Sequence, residues 1–413
     1  MTVVHPIARA WISTGGTGAR NYDEFADDAE ITEIVAANPE SALAIEMPHR
    51  APDSLGKSFT AALPDAVARL ARQKADGSYA AAEDVVVLYR IESSDVAGRG
   101  INQGEPDEAA YGIFAMVDTD QISTTADEPG LVIRNEDVFI EKVRERVALA
   151  EATGHLLSPV LLLQTGPGAQ LREAIAVAIA SAGAPTVTDV DHVGRTHAIW
   201  TLRADAAGDV LALAGGGDLV VADGNHRSLA AQTGGLDRFL AVITTPESVA
   251  IQPYHRLLSE SPVPLAGLLD VLRTAGAGVR PRSGVPGIPG QGTIYLYGRG
   301  GGYEVELPVR SVPGDAIVDG MDHAIVERLV IRDGLGLEPG DKRIGYVGGD
   351  YAPEWLAAEV DAGRAELAIL IAPVTVDQFV AVNLARQKMP RKSTWFTPKA
   401  RGGLVLADLA AEG

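Results

Sequence analysis

Apolar positions along the chain recur with two periods, and these alone divide much of it into strands and helices. Val85–Ile91 (VVVLYRI) and Gly112–Val117 are rich in β-branched and aromatic residues and predict strands. Ala61–Lys74 carries an amphipathic pattern and predicts a helix. Between Glu136 and Thr153 the apolar positions Phe139, Val143, Val147 and Ala150 share a helical face, and Gly154 stands where a left-handed glycine would end the helix. Ile12–Ala19 (ISTGGTGA) reads as a Gly/Thr-rich loop.

Beyond residue 155 the two periods alternate. Val160–Gln164 predicts a buried strand, Leu171–Ala182 a helix, and His197–Leu202 and Leu219–Ala222 further strands. A helix from about His226 to Gln232 and a strand over Arg238–Thr244 come next, which is an α/β arrangement. The Pro/Gly-rich stretch Pro281–Gly292 reads as a linker or long loop, and Thr293–Tyr297 and Tyr303–Val309 flank a Gly-rich turn as a hairpin would. Pro353 and Gly363 bracket a short helix around Trp355. The expected class is mixed α/β (α+β), with an N-terminal α/β region over 1–155, a core over 156–265 and a C-terminal α/β region over 266–413 that completes the site.

Composition narrows the function classes. With 46% hydrophobic and 22% charged residues in 413, the chain has the make-up of a globular protein rather than a disordered one. It has no cysteine, which excludes disulfides, thiolate metal sites and a cysteine nucleophile and suits a reducing cytoplasm. A net charge of −20 repels nucleic-acid backbones and anionic membranes, so neither is expected as a partner. Met1–Trp11 lacks a signal-peptide pattern, and the apolar run Leu367–Val374 is short and broken by Pro373, so a cytoplasmic protein is expected. Small anions need only a local positive pocket.

One such pocket is suggested where the strand Val220–Ala222 breaks into Asp223-Gly224 and then Asn225-His226-Arg227. Backbone amides at a helix start, with an Arg fork and a His beside them, make a phosphate cradle. Asp223 could hold Mg²⁺ or take a proton from a hydroxyl. The alternative is a plain turn, with Asp223 capping the helix and His226 and Arg227 solvated. A second cluster gathers Lys392, Ser393, Thr394 and Lys399 around Trp395 and Phe396. Its alternative is an exposed loop whose aromatics pack on the core. Lys142, Glu145 and Arg146 read as a solvated helix face, and Tyr254-His255-Arg256 as pocket-lining or merely capping a strand. His192 and His197 lack metal-ligand spacing. No Walker loop, dinucleotide fingerprint, His-Glu-x-x-His or Gly-x-Ser-x-Gly elbow is present, which counts against the enzymes that use them.

These residues fall in a familiar order. Ala222-Asp223-Gly224-Asn225-His226-Arg227 is similar to the Ala-Asp-Gly-His-His-Arg turn of the bacterial family called domain of unknown function 1015. The chain also matches its landmarks Tyr22-Asp23, Glu136…Lys142…Glu145-Arg146, His197…Trp200, Tyr254-His255-Arg256 and Arg343–Gly349. Met389-Pro390, Lys392–Phe396 and Pro398-Lys399 complete the set. The resemblance implies a ParB/sulfiredoxin-like core with large N- and C-terminal additions, in a family that includes free L-serine kinases, some of them using pyrophosphate. It therefore implies phosphoryl transfer to a small hydroxyl acceptor, L-serine, from pyrophosphate, ADP or ATP with Mg²⁺. The site residues it implies are Asp223, His226 and Glu136 for catalysis, with Asp223 on the metal. Gly224, Asn225, Arg227, Lys392, Ser393, Thr394 and Lys399 would take the phosphates, and Tyr254, His255, Arg256 and Trp395 the substrate. Two departures stand out: Asn225 replaces the first His of the turn, and Arg391 stands where an uncharged residue is usual. A non-enzymatic ParB-like switch that binds a nucleotide or phosphate is the other reading, and the oligomeric state is open.

Overall fold

A computed structural model describes residues 2–22, 24–25, 28–93, 109–123, 125, 128, 130–134, 136, 138–285, 287–308 and 316–412. Met1, Asp23, Asp137, Pro286 and Val309, which fall within runs named above, lie outside them. The chain forms two compact units: one runs to Ala250 and takes back Pro398–Gly413, and the other holds Ile251–Thr397.

The first unit is built on a mixed sheet. Its principal elements are β1 (Ile7–Ser13), α1 (Leu63–Ala75), β2 (Tyr79–Glu92), β3 (Ala110–Asp118), α2 (Ile140–Thr153), β4 (Val160–Gln164), α3 (Gly168–Ala182), β5 (Thr196–Arg203), β6 (Leu219–Asp223), α4 (Asn225–Thr233) and β7 (Arg238–Thr244). Adjacent strands run β6-β4-β7-β3-β2-β1, and the returning strand Val405–Asp408 pairs beyond β1. β4 and β7 are parallel, whereas β6 runs antiparallel to β4, and β5 pairs antiparallel with β2. Strands from before and after residue 155 thus share one sheet. Every residue of β4 is buried, as its unbroken apolar run requires of a strand covered on both faces. Leu171, Ile175 and Ile179 of α3 pack on the alternate residues Leu162, Val221, Ala241 and Ile243.

Several boundaries differ from the sequence expectation for local reasons. Ile12 and Ser13 belong to β1, because they continue its ladder by pairing with Ala80 and Tyr79 of β2; the loop starts after them. α2 begins at Ile140 rather than Glu136, since Phe139 is extended at φ −81°, ψ 113° and its N–H is drawn to His226. Its other end is as expected, with Gly154 left-handed at φ 66°. Among the described residues no helix is long and apolar enough to cross a membrane.

The second unit is an antiparallel sheet with helices. It comprises β8 (Tyr254–Leu258), α5 (Leu265–Thr274), β9 (Gly278–Arg282), β10 (Thr293–Gly298), β11 (Gly301–Glu306), β12 (Ile344–Gly348), α6 (Pro353–Asp361) and β13 (Leu367–Ile371), in the order β9-β11-β10-β13-β8-β12. β10 and β11 are the expected hairpin. Pro281 and Arg282, read as linker, instead end β9, and a sheet edge is where a strand tolerates proline. Both units are mixed α/β, the class that the two periods predict.

Two histidines are sealed into the second unit. His255 of β8 is 1% exposed, and its Nδ1 accepts the Ile371 N–H at 3.1 Å. Burial, with the Arg256 charge beside it, pushes its pKa down to about 3. His323, equally buried, is held well below the usual histidine range by the same two causes. Between pH 6.5 and about 3 the unfolded chain binds a proton at His255 that the folded chain refuses. Stability is therefore full above pH 6.5 and falls as the pH is lowered, by up to about 1.4 kcal/mol per pH unit for each such histidine. Urea midpoints followed by tryptophan fluorescence from pH 7 to pH 4 should fall accordingly, and His255→Asn should flatten that slope.

Candidate functional site

The site is assembled at the end of β6. Its ladder with β4 pairs Val221 with Leu162 and then Asp223 with Leu161, so an extra residue bulges at Ala222 and re-aims the chain beyond it. Gly224 is left-handed at φ 95°. A Cβ there would lie 3.1 Å from Arg227 Nε and 3.2 Å from the Val160 Cα, so both conformation and space require glycine. α4 then starts at Asn225, and its first helical N–H bond comes only at Ser228, which donates to the Gly224 carbonyl. The amides before it point out of the helix end and give it partial positive charge.

Asp223 is clamped between two cations. Arg227 Nη2 donates to Oδ2 at 2.6 Å, and Lys399 Nζ donates to Oδ1 at 3.2 Å from 176 residues away. Arg227 Nη1 reaches Asn21 Oδ1 at 2.9 Å and also the Pro159 carbonyl. The Asp223, Arg227 and Lys399 side chains are 17%, 9% and 15% exposed, so water screens this cluster little. One carboxylate between two cations beside the helix N-terminus puts positive groups and amides where an anion would bind. The plain-turn alternative does not form: Asp223 makes no capping hydrogen bond, and His226 and Arg227 are not solvated.

His226 is 7% exposed, and its Nε2 accepts the Phe139 N–H at 3.1 Å. The Phe139 ring lies parallel to it, 6.1 Å away. An acceptor at Nε2 puts the proton of the neutral ring on Nδ1. Asn225, where the family turn has His, is 8% exposed, and its Oδ1 is buried with no hydrogen-bond partner. Glu136 is half-buried in the segment before α2.

In the second unit, Arg256 is 1% exposed and committed to backbone oxygens. Nη1 donates to the carbonyls of Tyr254, His255 and Lys392 at 3.1, 3.3 and 3.0 Å, and Nη2 to that of Arg391 at 3.2 Å. It fastens a turn in which Lys392 has φ 51°, and offers no open fork to a substrate. Lys392 Nζ sits 5.7 Å from the Tyr254 ring, and Trp395 meets that ring edge-on at 5.4 Å. The Trp395 indole N–H donates to Asp350 Oδ1 at 3.0 Å, and its ring lies where a Cβ on Gly348 would be. Ser393 is buried with its Oγ unpartnered, and Thr394 is half-buried. Trp395 and Phe396 pack inside, as the loop alternative holds for the aromatics.

Lys399 thus joins Asp223, Gly224, Asn225, His226 and Arg227 in the first unit, while Tyr254, His255, Arg256, Lys392, Ser393, Thr394 and Trp395 gather in the second. Sequence reasoning missed Asn21, though it adjoins the landmark Tyr22. Arg146, read as part of a solvated helix face, is instead 7% exposed, with its guanidinium 4.1 Å from the Tyr22 ring and 5.0 Å from that of Phe59. Among the described residues no three or more His, Asp or Glu converge as a metal cage.

Gly224→Ala should destabilise the first unit by about 1–2 kcal/mol from backbone conformation alone, with the Arg227 contact adding to it. Urea denaturation of the variant beside the parent chain measures this.

No curated protein matches the chain by sequence. Among solved structures it is similar to a free serine kinase in complex with AMP, at 11% identity and a TM-score of 0.37 over 69% of this chain and 87% of that one. It is similar to a conserved hypothetical protein from Pyrococcus furiosus, at 12% identity and a TM-score of 0.36 over 70% and 95%. A third is SbnI with C-terminal truncation from Staphylococcus aureus, at 13% identity and a TM-score of 0.40 over 72% and 88%. The model of a family described as protein of unknown function, DUF1015, matches residues 17–275, and the chain belongs to that family.

Proposed function

We propose that the chain is a phosphotransferase that moves a phosphoryl group from pyrophosphate, ADP or ATP to the hydroxyl of free L-serine. The observation that carries this reading is the Asp223 carboxylate held between Arg227 and Lys399 at the start of α4. Phosphoryl transfer asks a protein chiefly to position groups and neutralise charge, and this cluster sets two largely buried cations and a carboxylate at a helix N-terminus. Arg227, Lys399 and the amides after Gly224 take the donor phosphates. The serine hydroxyl oxygen attacks the terminal phosphorus, the bond from that phosphorus to the leaving phosphate breaks, and Asp223 accepts the hydroxyl proton. The buried Asn225 Oδ1 supplies an acceptor for a donor group of the substrate. His226, pinned by the Phe139 N–H, orients the turn and adds to charge stabilisation through its other nitrogen.

A Mg²⁺ ion fits this reading. Each Asp223 oxygen accepts one hydrogen bond, which leaves a lone pair on each, and Mg²⁺ commonly takes one or two carboxylates together with substrate phosphates. Asp223 would hold it, and the ion would neutralise charge on the donor phosphates.

Purified protein incubated with Mg²⁺, L-serine and each donor in turn should yield O-phosphoserine. Asp223→Asn should lower turnover about 10²- to 10⁴-fold, the range for losing a general base. Lys399→Met should raise the KM for the donor more than that for serine. No phosphoserine with any of the three donors would overturn the reading.

A further inference from the structure

α2 and α4 pack side by side, and a cavity of about 100 Å³ lies beside them in the first unit. Its wall is mostly apolar, with Ala150 of α2, Ala230 of α4 and Leu240 of β7 contributing to it. The polar residues there are unequal. Arg227 is engaged by Asp223 and Asn21, and Glu46 has interactions of its own. Arg146 is not so provided for. It is 7% exposed, its Nη2 donates to the Glu46 backbone carbonyl at 3.1 Å, and its Nε and Nη1 are buried without a hydrogen-bond partner. The Tyr22 and Phe59 rings lie near the guanidinium, and π faces supply no acceptor for in-plane N–H groups. Ser158, 9% exposed and on the same wall, also has an unpartnered Oγ. A buried cation lacking acceptors, an idle hydroxyl and an aliphatic wall together describe the complement of an anion with an apolar body.

We propose that this cavity binds a short aliphatic monocarboxylate, its head on Arg146 and Ser158 and its body against Ala150, Ala230 and Leu240. One guanidinium neutralises a monoanion, whereas a phosphate dianion on a wall that also carries the Glu46 and Glu151 carboxylates would leave charge buried and unpaired. The wall offers an aliphatic body no hydrogen bonds to lose, and the cavity's size restricts the ligand to a few carbons. The cavity shares Arg227 with the proposed phosphoryl-transfer site, but that guanidinium is engaged by Asp223 and Asn21, and binding is read without donor or serine, so failure of the kinase reading leaves it standing.

The probe is 2-methylpropanoate, with 2-methylpropanamide as the uncharged control, titrated into the full chain by calorimetry and followed by Tm. The acid should bind saturably and raise Tm, and the amide should do neither. Arg146→Gln should weaken binding at least about tenfold. Ala150→Leu, a helix-compatible change that fills the cavity and keeps Arg146, should abolish it and remains decisive if Arg146→Gln does not fold. Absence of saturable binding, equal binding of the amide, or acid binding that survives Ala150→Leu would each overturn the proposal.

Discussion

The first unit's site turns on one carboxylate shared by two cations. Asp223 binds Arg227 four residues ahead, within its own strand-turn-helix, and Lys399 in the segment that returns after the second unit. Without the carboxylate, two largely buried cations would face each other unneutralised, a cost of several kcal/mol per ion even after relaxation. The clamp in turn depends on covalent geometry nearby. The bulge at Ala222 sets the direction of Asp223, and a left-handed Gly224 lets Arg227 fold back over the turn. Asn21 and the Pro159 carbonyl then hold the far side of the same guanidinium. The arrangement is preorganised for an anion, because the donors are already in place and largely shielded from water.

How much could be read from the sequence depends on how local each feature is. β4 was legible because five consecutive buried-type residues suit only a strand covered on both faces. The end of α2 was legible because glycine alone relaxes into the left-handed C′ position. The Asp223 turn stood out because Asp-Gly breaks an apolar run. Its partners did not, since Asn21 and Lys399 are 206 and 176 residues from the groups they bind. Helical periodicity placed Arg146 on a charged face but could not show that aromatic rings from other elements enclose it. Arg256 was singled out as a substrate residue beside Tyr254 and His255. Its role as a fastener of carbonyls is invisible locally, because the Lys392 and Arg391 carbonyls stand 136 and 135 residues further along the chain. Pro281 misled for the opposite reason: proline breaks central strands, yet an edge strand has no ladder bond there to lose.

Three buried arginines show how differently this chain compensates a charge that water no longer solvates. Arg227 has a carboxylate, a side-chain amide and a carbonyl, so its charge and both terminal nitrogens are met. Arg256 has backbone carbonyls, with Glu327 at 3.9 Å, and the Tyr346 ring 4.6 Å away. Carbonyl dipoles satisfy its donors, and the distant carboxylate supplies part of the counter-charge. Arg146 has one carbonyl, a methionine sulfur at 3.8 Å and two ring faces. Ring quadrupoles contribute about 2 kcal/mol or more to a desolvated cation, but they leave its in-plane donors unmet. Compensation thus decreases from Arg227, which holds a carboxylate, to Arg146, which holds one carbonyl and a sulfur. Among the described arginines Arg146 is the one with two buried nitrogens lacking a hydrogen-bond partner, and a ligand entering the cavity it faces would bring the missing acceptor.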